Sequence, residues 1–175
     1  MRTRVLAMTL VLAALPHLAA AQDAPVSQAF REGATSAGKR LMAAAEEMPA
    51  DKYSFKPTPA QMSFGDVLVH LSQGNDFLCS TIAGTEAPKR SEVKVAAGKQ
   101  KLVARLKETF QFCDSALAKV DDSKLSQQVN FFGRQISQAQ AILATAQDWA
   151  DHYSQMAIYL RLNGLLPPTA KQKEE

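Results

Sequence analysis

The sequence predicts an all-α protein, a four-helix bundle behind an N-terminal export signal. Three observations carry this reading. Apolar residues recur at spacings of three and four through four long segments, the period of a helix that buries one face. No strand-like alternation of any length, no repeat and no glycine-rich phosphate loop interrupts that pattern. The opening residues carry a short apolar run that belongs to targeting and not to the fold.

That opening, "MRTRVLAMTLVLAALPHLAAA", has Arg2 and Arg4, then the apolar run, then Ala19-Ala20-Ala21. The layout is that of a secretory signal with small residues at the cleavage point. We place the cut after Ala21 and expect a secreted or periplasmic protein, with the bundle at 22–170 and a frayed polar tail at 171–175. The run is short for a membrane span and Pro16 interrupts it, so no membrane attachment is expected once the signal is removed. Losing Arg2 and Arg4 lowers the formal charge from +3 to +1. A near-neutral chain gives no electrostatic reason to expect nucleic acid. What remains suits one domain with a single core.

The first helix covers roughly Val26 to Glu47, with Phe30, Ala34, Ala37, Leu41, Ala44 and Met48 on one face. Prolines 49, 57 and 59 make the next segment a loop. Ser63 can cap the second helix, with Asp66 favourable in its first turn. Phe64, Val67, Leu68, Leu71, Leu78 and Ile82 form its buried stripe, and Gly84 and Pro88 end it. A polar connection follows. The third helix runs from about Gly98 to Lys119, burying Leu102, Leu106, Phe110, Cys113 and Leu117. "DDSKLSQQVNFFGRQ" reads as a loop with room for one short extended piece. Ser137 caps the fourth helix, which reaches Asn163 before Gly164 stops it. Trp149 and methionines 42, 62 and 156 are most simply core. "KRSEVK" and "KQKLVARLK" read as solvated faces.

Histidine is scarce: His17, His70 and His152 are the whole set, and His17 leaves with the signal. Asp148 and His152 stand four apart on the fourth helix, so their side chains leave one face. Gln155 and Tyr159 continue that row and are expected to line the site. The neighbouring row of Ile142, Ala146, Trp149, Tyr153, Met156 and Leu160 is apolar and expected in the core. His70 lies at the edge of the second helix's stripe, with Gly74 leaving space one turn on. Two imidazoles and one carboxylate on facing helices can hold a divalent ion from one side. Such a sphere stays partly open, as a catalytic site requires. The bland reading is a carboxylate that orients a helix-edge histidine. Tyr53 and Tyr159 are the candidate proton or hydrogen-bond partners, and no catalytic group beyond the ligands stands out.

The stretch "HYSQMAIYLRLNGLLPP" resembles the end of the DinB/YfiT-like superfamily of four-helix bundles, where a histidine-bearing helix runs into a similar tail. "SFGDVLVHL" resembles that family's second helix, and "FLCSTIAG" and "FQFCDSALAKV" resemble segments of an exported branch. The resemblance covers most of the mature chain. It implies an up-down-down-up bundle and a divalent metal, often nickel or zinc, held by three histidines. Carried over by position, His70 and His152 match two of them, and Asp148 stands where the third would be. That departure either shifts preference towards iron or manganese or marks a site that has lost its ion. A homodimer is a further implication of the family.

Cys79 and Cys113 are the only cysteines. In an exported chain an even pair suggests a disulfide, with two buried thiols as the alternative. Parallel second and third helices bring the two level; antiparallel ones separate them by well over ~10 Å. The family's strand of connectivity implies the parallel case.

Two functional readings follow. One is an exported, metal-dependent hydrolase or transferase acting on an unidentified small molecule. The other is a non-catalytic periplasmic bundle, ligand-binding or dimerising, with a degenerate metal site.

Overall fold

The computed structural model describes residues 24–171. The expected signal peptide at 1–21 and residues 172–175 of the expected tail lie outside them. Helix α1 spans Pro25–Glu47, α2 Phe64–Ala83, α3 Lys99–Leu117 and α4 Gln138–Leu162. Each lies within a residue or two of the segment its apolar period predicts. Ser63 and Asp66 form a reciprocal capping box at the start of α2, and Ser137 and Gln140 form another at α4. Gly84 and Gly164 take left-handed backbone at the far ends. No described helix is long and apolar enough to cross a membrane.

Side-chain pairs fix the helix directions. Asn75 bonds Thr109, and Cys79 is bridged to Cys113. The constant offset of 34 residues means that α2 and α3 run parallel. Gln138 donates to the Ile82 carbonyl and Tyr159 to the Met62 carbonyl, so α2 and α4 run antiparallel. Lys99 Nζ reaches the carbonyls of Glu46 and Met48 while Phe110 meets Gly38, so α1 and α3 also run antiparallel. The result is the up-down-down-up order. The disulfide is therefore formed between level positions, with Cα atoms 5.2 Å apart.

Parallel neighbours need a connection that travels back along the bundle. Residues 85–97 make it, and they are stitched down on the way. Arg90 Nε pairs with Asp76 at 2.7 Å, and Arg105 Nη1 donates to the Ser91 carbonyl at 2.8 Å. Val95 then packs on Gly65, where a Cβ would come within 2.7 Å of Val95 Cγ1 and 3.1 Å of the Tyr53 carbonyl. The stretches expected as solvated faces thus supply Arg90, Lys99 and Arg105 as fasteners. Charge patterning alone does not show that a guanidinium will lie over its own return loop.

The loop before α4 holds a two-stranded antiparallel hairpin, β1 (Gln128–Phe131) and β2 (Arg134–Ser137). Its four-residue strands are too short for an alternation to register in sequence. Phe132 and Gly133 form the turn with φ of 51° and 81°, the sign that a two-residue hairpin turn requires. The Asn130 side chain accepts from the Gly133 amide at 2.9 Å.

The core joins all four helices around Trp149, Phe30 and Phe110. Asn75 is buried among them: its amide nitrogen donates to Thr109 Oγ1, and its oxygen accepts from the Trp149 indole at 2.8 Å. Three core expectations change. Met62 is partly exposed in the loop before α2, Ala146 faces solvent, and Tyr153 is half-buried under Arg40 with its hydroxyl on Thr169. A helix stripe predicts a face; where a neighbouring helix stops covering it is a property of the assembly.

Candidate metal centre

The groove between α2 and α4 brings His70, Asp148 and His152 together. One ligand atom from each lies within 4.8 Å of the other two. Among the described residues, no other cluster of three histidine, cysteine, aspartate or glutamate side chains is arranged in this way. His70 comes from α2 and is exposed; Asp148 and His152 come from successive turns of α4 and are half-buried.

His152 is held by its own helix. Its Nδ1 lies 2.7 Å from the backbone carbonyl of Asp148 and 3.5 Å from that residue's carboxylate. A carbonyl can only accept, so Nδ1 carries the hydrogen, and in the neutral ring Nε2 is the nitrogen with a lone pair for an ion. The orienting bond foreseen for the carboxylate is made by the main chain instead. That leaves the Asp148 carboxylate available as a ligand. The donor set is two imidazoles and one carboxylate, which fits a first-row divalent ion. One turn from His70, Gly74 adds no side chain to the groove.

The residues expected to line the site are placed differently from one another. Gln155 is half-buried and donates to the Tyr159 hydroxyl. Tyr159 is buried, wedged between Phe55 and Phe64, and gives its proton to the Met62 carbonyl at 2.9 Å. It anchors the end of α4 to the start of α2. Tyr53 is also core: its hydroxyl donates to the Ala45 carbonyl at 2.7 Å. Burial, with the Glu46 carboxylate nearby, pushes its phenol well above the usual range. Neither tyrosine holds a proton at the ion site, so the expectation of a tyrosine proton partner is replaced by two structural roles. The cluster of Phe77, Phe131 and Phe132 was not foreseen as a unit: the sequence places only Phe77, on the row of His70, and the signal for the other two is a pair of adjacent aromatics before a glycine in "NFFGR".

A family model described as the DinB superfamily matches residues 34–156, which include all three candidate ligands. The chain belongs to the DinB superfamily. The tail from Tyr159 to Pro168, the most specific part of the sequence resemblance, lies beyond the matched residues. A DinB-like protein from Bacillus cereus shares the fold at 17% identity with a TM-score of 0.70, covering 81% of this chain and 95% of its own. A DinB-like protein from Bacillus subtilis does so at 17% identity and 0.67, covering 83% and 99%. A conserved protein from Enterococcus faecalis gives 18% identity and 0.63, covering 78% and 96%. No curated protein matches the chain. In this DinB-superfamily bundle, the helix order expected from the resemblance is the order observed.

Proposed function

We propose that this chain is an exported DinB-superfamily protein that binds a divalent ion through His70, Asp148 and His152 and acts as a metal-dependent hydrolase or transferase. The observation that carries the reading is the convergence of those three ligand atoms within 4.8 Å, from two helices and across a sequence separation of 78 between His70 and Asp148. The donor set suits nickel, zinc, iron or manganese, and the carboxylate favours the harder two. A bound ion supplies Lewis acidity for activating water. The chain's own contribution is orientation: the Asp148 carbonyl holds the His152 ring, and His70 is exposed to solvent. The Cys79–Cys113 disulfide supports export to an oxidising compartment, as does the signal-like N-terminus.

The test is elemental analysis of tag-free protein from metal-replete growth. One ion per chain, lost in His70→Ala and Asp148→Ala with circular dichroism unchanged, is the expected result. Metal-free wild type sinks the reading. One observation favours a second reading, a non-catalytic ligand-binding or dimerising bundle: His70 and His152 stack on one another and so satisfy each other's apolar faces without an ion. The same analysis decides between the two.

A further inference from the structure

The α2 face that carries His70 continues beyond the candidate ligands. On α2, Gly74 lies one turn and Phe77 two turns beyond His70, on the same face. Seven residues correspond to about 10 Å along the axis. Because α4 runs antiparallel, its start and the β1–β2 hairpin sit at that end. The Phe132 ring lies 4.4 Å from Phe77 and 4.9 Å from Phe131, and Phe77 and Phe131 are 6.2 Å apart. Three phenylalanines thus make one apolar wall, with Phe77 on the α2 face that carries His70.

Phe132 breaks two local rules at once. It is 70% exposed, where burial would be expected of its size. Its φ of 51° is left-handed, a conformation that Asn or Gly would hold at less cost in this turn. Both departures favour a smaller polar residue, so turn chemistry does not account for the aromatic ring. Gly74 is unexplained by packing in the same way: a Cβ there would meet only Leu78 Cδ1, at an ordinary 3.9 Å. A longer side chain there would project from the α2 face between His70 and Phe77.

We infer that Phe77, Phe131 and Phe132 form the tail subsite of the metal centre. It selects substrates with a metal-binding polar head joined to an unbranched apolar tail of about 10 Å, the length of a medium-chain acyl group. The inference rests on the metal reading above for its head group and on the aromatic wall for its tail.

The probes are octanohydroxamate and acetohydroxamate, which share a chelating head and differ in the tail. Calorimetry on the zinc-loaded protein should show the octanoyl compound binding at least about tenfold tighter. Phe132→Asn suits the left-handed turn and so retains the fold; it should remove most of that gain and leave acetohydroxamate unchanged. Gly74→Leu should do the same by blocking the path. Equal binding of the two hydroxamates to wild type overturns the inference, and so does a tail preference that survives both variants. Should zinc not bind, the metal reading fails by itself. Octan-1-ol then decides on metal-free protein: amide shifts at Gly74, Phe131 and Gly133 that weaken in Phe132→Asn support the tail subsite, and their absence overturns it.

Discussion

The imidazoles of His70 and His152 stack across the groove between α2 and α4, with centroids 4.9 Å apart and planes 26° from parallel. Two rings held this close must respond to one ion together. Zinc titration should therefore shift the ring proton resonances of both histidines in a single stoichiometric step. Asp148→His should raise affinity for zinc relative to manganese, since a third imidazole is a softer donor than a carboxylate. Independent titration of the two rings would mean that they do not share a site.

The Cys79–Cys113 bridge closes a sequence separation of 34 residues between the parallel helices. Restricting the unfolded chain over that span contributes about 2–4 kcal/mol. Replacing both cysteines by alanine should lower the unfolding free energy by that amount in urea. Secondary structure below the transition should be unchanged, because the return loop remains pinned by Arg90 and Arg105.

Asn75 satisfies the indole N–H of Trp149 from inside the core. Asn75→Ala leaves that donor buried without a partner, at a cost of about 1–3 kcal/mol. Trp149 is the only tryptophan, so its fluorescence reports on this site alone. A lower denaturant midpoint together with a changed native emission spectrum is expected; an unaltered midpoint would show that the bond contributes nothing net.

Asp122 caps α1 from another part of the chain. Its two carboxylate oxygens accept from the amides of Val26 and Ser27 at 3.0 and 2.7 Å, where Ala24 provides no side-chain cap. Partial desolvation raises its pKa, but the bonds from Ser27 and Val26, helped by Arg31, outweigh this and hold it below the ordinary value. Because folding lowers the pKa, the stabilisation is complete above the unfolded value of about 3.9 and fades as pH falls through the folded one. Asp122→Ala should thus lower the melting temperature at neutral pH, with the difference from wild type shrinking in acid. A constant difference across pH would assign the effect to something other than the carboxylate.

The helices and their ends were legible because their causes are local. Period, capping residues and left-handed glycines act within a few positions, and Ser63, Ser137, Gly84 and Gly164 all act as read. The hairpin was not, because its strands are short and its turn uses Phe132 where a turn signal would show Asn. The His70, Asp148 and His152 set could be named from residue type and family resemblance, yet spacing reaches only along one helix.

By itself, then, the sequence determined four amphipathic helices, their stops, and an acid–imidazole pair on one face of the last. Tertiary structure decided the rest: that α2 lies antiparallel to α4 so that His70 meets the pair, that α2 and α3 run parallel so that the cysteines join, and that Tyr53 and Tyr159 point into the core. The physical reason is range. Helix formation is settled by neighbours three and four residues away, whereas a shared ligand sphere depends on the packing of segments whose separation along the chain carries no distance in space.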